Sequence, residues 1–181
     1  MIKVHLSLAE HIETTRLVLQ RLRYEDAEEI FYGYASKPEA TQYVSWPTHK
    51  RIKDTRDYLK FAIIDWKIGV DYTFGIRLKE TNQLIGTFGI TNDQGKLQFG
   101  YILNPTQWGR GYATEVCRAM MPILKTQRNV YRINTFVDAE NVASAKVLLK
   151  SGLIEEARLS KWFRFVNQDN EAKDCILYKL P

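Results

Sequence analysis

Leu103-Asn-Pro-Thr-Gln-Trp-Gly-Arg-Gly-Tyr-Ala-Thr-Glu-Val116 stands between a run of alternating residues and an apolar helical pattern. Pro105 has no N–H to give a β-ladder and biases Asn104 toward an extended backbone, so the preceding strand ends here. The chain then turns at the strand's C-terminal edge, where ligands of α/β sheets gather. Gly109 and Gly111 open backbone angles closed to other residues and carry no side chain, so an incoming group can reach main-chain N–H donors directly. A helix starting at once adds its own unpaired N–H groups and the positive end of its dipole. Such a nest is an anion site suited to a phosphate or diphosphate. The same glycines also serve a plain strand-to-helix turn, and Gly-Xaa-Gly alone does not choose between the two. No Gly-Lys-Ser or Gly-Lys-Thr follows, and the third glycine and acid of a dinucleotide fingerprint are missing, so a phosphate ligand of another kind is required.

The flanking patterns predict the fold class. Upstream, Tyr72–Leu78, Leu84–Thr91 and Leu97–Leu103 read as strands joined by short turns, Lys-Glu-Thr-Asn-Gln and Asn-Asp-Gln-Gly, which implies an antiparallel meander. Downstream, Ala113, Val116, Cys117, Met120 and Leu124 repeat at three and four, predicting a helix from about Tyr112 to Thr126 that Pro122 should kink or end early. Arg132–Val137 reads as a strand, Val142–Ser151 as a helix ended by Gly152, and Leu153–Leu159, Trp162–Val166 and Cys175–Leu180 as further strands. Strand, helix, strand and helix from Leu97 to Ser151 imply a crossover between parallel strands inside a mixed sheet. Before the meander come a strand at Arg16–Leu22, a helix at Tyr24–Tyr34 and a helix at Ile52–Trp66. The expected class is α/β or α+β, with one mixed, mostly antiparallel sheet and about four flanking helices.

The 181 residues suit one domain, residues 1–181, with a sizeable core. A hydrophobic share of 45% with 26% charged residues is ordinary for a soluble globular chain, so disorder is not expected. The net charge of +5 fits an anionic ligand but does not by itself select nucleic acid; the basic stretch His49–Arg56 reads more simply as a solvated helix face. Cys117 and Cys175 each sit in an apolar pattern, as free buried thiols do, and His5, His11 and His49 lack partners at metal spacing, so no metal is expected. The opening Met-Ile-Lys-Val-His-Leu-Ser-Leu has no leader-like apolar core and no run is long enough to span a membrane, which points to a cytoplasmic protein.

The stretch Gly100–Glu115 resembles motif A of the GCN5-related N-acetyltransferases (GNAT), and Asn141-Val-Ala-Ser-Ala-Lys-Val-Leu-Leu-Lys-Ser-Gly-Leu153 resembles their motif B. Glu13–Leu22, Glu25-Asp-Ala27 and Asp174-Cys-Ile-Leu-Tyr178 resemble the branch holding the ribosomal-protein N-terminal acetyltransferases of RimJ/RimL type. The resemblance runs from about Thr14 to Leu180. It implies acetyl-coenzyme A as co-substrate, with the diphosphate held by the backbone of Gly109, Arg110, Gly111, Tyr112 and Ala113 and by the Thr114 hydroxyl. Trp108 stands at the loop's first position, where the family usually has Gln or Arg. A V-shaped splay between central strands is implied, eased by a bulge at Gly100, with backbone groups of Tyr101, Ile102 and Leu103 meeting the pantetheine arm and the acetyl carbonyl.

By the same resemblance an amine attacks the thioester directly, with no covalent enzyme intermediate. Many relatives place a Tyr four residues before the motif B glycine to protonate the thiolate; Leu148 occupies that position here. Ser144 is then the catalytic candidate, as a hydrogen-bond donor to the sulfur, and Asn141 a candidate for the pantetheine amide. Both also fit a plain helix cap. Gln98 replaces a Glu often found before the Gly-Tyr pair, leaving Asp93 as a weak candidate base whose ordinary role is turn formation. Lys146 and Lys150 are candidates for the 3′-phosphate, and Trp46, Trp66, Trp162 and Phe163 for the acceptor site. The implied acceptor is a small-molecule amine or a protein N-terminus; the alternative is a catalytically weak acyl-coenzyme A sensor or scaffold. No reading of oligomeric state follows.

Overall fold

The structure, a computed structural model, describes residues 4–181. The leader reading of the opening residues rests partly on Met1, Ile2 and Lys3, which lie outside the described residues. Eight strands form one mixed sheet in the order β1-β2-β3-β4-β5-β6-β8-β7. They are β1 (His11–Glu13), β2 (Leu17–Arg21), β3 (Asp71–Leu78), β4 (Leu84–Asp93), β5 (Lys96–Leu103), β6 (Arg132–Asp138), β7 (Ile154–Arg164) and β8 (Ala172–Lys179). The helices are α1 (Ala27–Ile30), α2 (Pro38–Thr41), α3 (Ile52–Ile68), α4 (Tyr112–Lys125) and α5 (Val142–Lys150). Every neighbouring pair is antiparallel except β5 and β6, the parallel pair that the β5-α4-β6 crossover requires.

Alternation along β5 divides the core into two layers. Leu97, Phe99 and Leu103 face α4 and α5, where they join Val116, Cys117, Met120, Met121, Leu124 and Leu148; Ile102 faces the other way, with Ile30, Tyr34, Leu59 and Ala62. Each fully buried Leu or Ile contributes roughly 1.5–3 kcal/mol to this packing. The β4–β5 turn has positive φ at Gln94 (51°) and Gly95 (93°), the geometry of a tight two-residue hairpin, and the Asn92 side chain closes it by accepting from the Gly95 N–H at 2.9 Å.

Beyond the added short elements β1 and α2, the structure departs from the sequence expectations at four places. The Tyr24–Tyr34 helix is wound unevenly, as a 3-10 turn at Tyr24–Asp26, then α1, then a π turn at Phe31–Ala35. α4 runs through Pro122 to Lys125, because Pro122 falls in the last turn where little helix remains to be interrupted. The two strands expected between Leu153 and Val166 are one, β7, in which a register shift and positive φ at Lys161 (47°) absorb the polar break. No bulge forms at Gly100. The β4–β5 register is unbroken from Gly86 opposite Leu103 to Asp93 opposite Lys96.

The splay arises instead from β6 changing partners. β6 pairs with β5 only from Arg132 to Asn134, opposite Lys96 to Gln98, and then follows β8 to Asp138. β5 meanwhile follows β4 to Leu103. A gap therefore opens between the C-terminal halves of two adjacent central strands.

Candidate active site

The loop after β5 is a cradle of unused donors. Pro105–Gln107 makes a 3-10 turn capped by the Asn104 side chain, which accepts from the Thr106 N–H at 3.1 Å. Gly109 and Gly111 adopt positive φ, 74° and 79°, and α4 begins at Tyr112. Within the described residues, no hydrogen bond is donated by the N–H groups of Gly109, Arg110, Gly111, Tyr112, Ala113 or Thr114; the first intrahelical donor is Glu115, to the Gly111 carbonyl. A Cβ added to Gly109 would meet nothing within 4 Å. Six free donors at a helix start, with Gly109, Arg110 and Gly111 exposed, fit a diphosphate. The Trp108 indole donates to the Leu103 carbonyl at 3.0 Å and latches the loop to the strand.

Arg16 steadies this cradle from 99 residues away. Its guanidinium donates to the Arg110 carbonyl at 3.0 Å and to Glu115 at 2.7 Å, and lies 4.5 Å from the Tyr112 ring centre. Glu115 also accepts from the Thr14 hydroxyl at 2.6 Å and the Arg16 N–H at 2.8 Å. Burial pushes the Glu115 carboxyl up, but these bonds and the Arg16 charge outweigh it and hold it below the usual range. Sequence reasoning missed this residue as part of the site; the only signal was a short Thr-Thr-Arg before a strand.

Of the β5 residues, the slot receives Tyr101 and Leu103. The Phe99 carbonyl faces β6, where it accepts from the Thr135 hydroxyl at 2.7 Å, so alternation turns the backbone of Tyr101 and Leu103 to the same side. The backbone of Ile102 turns to β4 and its side chain to the α1–α3 layer, so Ile102 is not brought to the slot. The Leu103 carbonyl is already taken by Trp108, leaving its N–H.

Across the slot α5 presents Asn141 and Ser144. The Asn141 side-chain oxygen accepts from the Ser144 N–H at 3.1 Å, so it caps the helix, and its amide nitrogen has no partner among the described residues. The Ser144 hydroxyl lies beside that of Tyr101. Leu148, one turn further on, is buried in the core. Lys146 and Lys150 are exposed on α5.

The opposite face of the splay carries Gln98, Gly100 and Asn134. A polar row runs across four strands there, Asp71 beside Thr91 beside Gln98 beside Asn134. Asp71 accepts from Thr73 at 2.6 Å and Thr91 at 3.0 Å, yet burial dominates and raises its carboxyl above the usual range. The buried Asn134 side-chain oxygen has no partner, and a Cβ on Gly100 would meet open space. The β7–β8 turn is lashed over this side by Asn167, which donates to the Thr41 and Trp46 carbonyls at 2.7 and 2.9 Å. A groove of about 490 Å³ lies between α2 and that turn, lined by Glu39, Glu140, Asp169, Glu171 and Lys173 among others.

Other candidates sit elsewhere. Asp93 is at the closed hairpin end of β5, opposite Lys96 and roughly 17 Å along the strand from Tyr101. Trp66 packs on Tyr72 and Phe74 in the core. Trp162 is exposed, and Phe163 packs tilted against Phe136 and edge-to-face against Phe165. Trp46 and His49 line a cavity of about 20 Å³, room for one water and too small for an acceptor. Among the described residues no three His, Cys, Asp or Glu gather as metal ligands, and no helix is long and apolar enough to cross a membrane.

A nest of free amides at the head of a slot between two parting strands, with a capped helix across it, meets its counterpart in sequence: residues 16–154 match the family described as acetyltransferase (GNAT) domain. The chain belongs to the GNAT family. It is similar to an N-acetyltransferase named p20 from Bacillus licheniformis, 32% identical over 161 residues that cover 84% of this chain and 89% of that protein. It is also similar to the N-acetyltransferase YoaA from Bacillus subtilis, 30% identical over 174 residues covering 93% and 95%. In fold it is similar to RimJ of Mycobacterium smegmatis, solved with a coenzyme A disulfide, at a TM-score of 0.85 and 18% identity over 98% of this chain and 90% of that one. This GNAT protein is an acetyl-coenzyme A dependent N-acetyltransferase.

Proposed function

We propose that the protein acetylates a primary amine by direct attack on acetyl-coenzyme A, with the cradle at Gly109–Thr114 holding the diphosphate and the β5–β6 slot the pantetheine arm. The observation that carries this reading is the run of six unpaired N–H groups at the head of the slot. Charge-assisted hydrogen bonds contribute about 1.5–3 kcal/mol each, so four or five reach the ~8 kcal/mol of micromolar affinity after ordering losses. The 109–114 amides fix the coenzyme, the Asn141 amide nitrogen donates to the arm, and the Tyr101 or Leu103 N–H stabilises the developing oxyanion.

The amine enters from the Gln98 and Gly100 face. The buried, unpartnered Asn134 side-chain oxygen supports an acceptor role toward its N–H, and the carboxylates of the neighbouring groove favour a substrate that arrives as an ammonium. Gln98 cannot take a proton, so water filling the opening above Gly100 removes it. Both a protein N-terminus and a small-molecule amine fit this description. Thiol release from acetyl-coenzyme A over a panel of amines and peptides tests the reading; an absence of turnover with every acceptor contradicts it.

A second reading, a catalytically weak acyl-coenzyme A sensor or scaffold, draws on Leu148 and Gln98 standing where many members of the family carry a Tyr and a Glu. Tight coenzyme binding with only slow thiol release across the panel favours it.

A further inference from the structure

Tyr101 stands on β5 beyond the last pairing with β6, in the splayed part of the strand. Its side chain turns toward α4 and α5 and packs against the core between them. The hydroxyl is sealed from solvent and has no hydrogen-bond partner among the described residues. It lies next to the Ser144 hydroxyl but outside bonding geometry, with the Cys117 thiol also near. A buried hydroxyl left in this way costs its full desolvation, so its lack of a partner asks for an explanation.

Position supplies one. The same residue turns its backbone N–H toward the slot and its phenol toward Ser144 in the first turn of α5, the helix across that slot. One turn beyond Ser144, Leu148 has nothing to donate. We propose that the Tyr101 hydroxyl, together with Ser144, donates a hydrogen bond to the thioester sulfur and stabilises the thiolate as it leaves; this rests on the acetyltransferase reading above. The phenol that serves the sulfur is thus supplied by the strand instead of the helix.

The step is balanced without a further reactant. The amine nitrogen forms a bond to the acetyl carbon, the carbon–sulfur bond breaks, the amine loses one proton to water, and coenzyme A departs as the thiolate. Tyr101 keeps its proton throughout. Burial raises its ionisation well above the ordinary phenol range, which keeps it a donor at neutral pH.

The test needs no acceptor amine. Coenzyme A is bound to the wild type and to Tyr101→Phe, and ionisation of the bound thiol is followed by thiolate ultraviolet absorbance as the pH is raised. A thiol ionises near pH 8.5 when unperturbed, and loss of one charge-assisted bond should raise the bound value in the variant by about one unit. Desulfo-coenzyme A should bind both proteins equally. A fluorotyrosine installed at position 101 keeps the shape and makes a stronger donor, so it should lower the thiol's ionisation even if Tyr101→Phe folds poorly. Equal thiol ionisation in wild type, Tyr101→Phe and the fluorotyrosine protein, as a water-satisfied phenol would give, overturns the proposal. Failure of the wild type to bind coenzyme A at all overturns the acetyltransferase reading with it, a distinct result.

Discussion

Thr135 donates its hydroxyl hydrogen to the carbonyl of Phe99 across 2.7 Å, at the point where β5 and β6 part. It replaces the ladder bond that β6 withdraws when it turns to β8, and so fixes where the slot begins. Thr135→Val keeps the shape and leaves that carbonyl unpaired. A loss of about 1–3 kcal/mol is expected in denaturant unfolding, with weakened coenzyme binding, and Thr135→Ser should restore most of both.

Gly111 takes φ of 79° at the head of α4, with only the Arg16 guanidinium near its missing Cβ at 3.6 Å. A side chain there is strained, and a carboxylate would sit among the donors meant for phosphate. Gly111→Glu is expected to abolish acetyl-coenzyme A binding in calorimetry while circular dichroism stays native, because the position borders solvent and not core.

Glu115 is held ionised below its usual range by Thr14 and Arg16 against the push of burial. Its unfolded carboxyl takes up a proton first as the pH falls, so the stability it contributes is present above the unfolded value, about 4.3, and is lost through the folded value below it. Other carboxylates lose stability in the same range, so the difference between proteins is what counts. The wild type should lose more stability than Glu115→Gln between about pH 5 and 3 in thermal melts followed across pH.

Asp26 and Arg77 meet at 2.7 Å, both almost fully buried, and Arg77 also reaches Glu29 at 3.0 Å and the Asn82 carbonyl at 2.6 Å. This pair fastens the segment before α1 to β3. Asp26→Ala strands a buried guanidinium and should cost about 3–5 kcal/mol by urea titration. The smaller loss typical of exposed pairs, under about 1 kcal/mol, would show that Glu29 and the Asn82 carbonyl suffice to hold the charge.

Much of this was legible in the chain because its signals are local. Asn104-Pro105 ends β5, two glycines launch α4, and the strand-helix-strand order from Leu97 to Val137 yields the parallel pair. Asn141 was readable both as a cap and as a ligand group, and its side chain divides accordingly, oxygen to the helix and nitrogen free. What escaped depends on distant partners. β1 has three residues and exists by pairing with β2, and α2 has four and starts on Pro38, too short for any period to register. The side of β5 that faces the slot is set by β4, which excludes Ile102 and admits Tyr101. Arg16 and Glu115 are 99 residues apart, so neither advertises the other.

The central claim is that the amides from Gly109 to Thr114 are free and take hold of the coenzyme diphosphate. Backbone amide resonances of the labelled protein, followed while acetyl-coenzyme A is titrated in, test it most directly. The amide protons of Gly109, Arg110, Gly111, Tyr112, Ala113 and Thr114 should move together to lower field and saturate at one affinity, and 3′,5′-adenosine diphosphate should reproduce part of the shift. Saturable coenzyme binding that leaves those six resonances in place, or no binding at all, would contradict it.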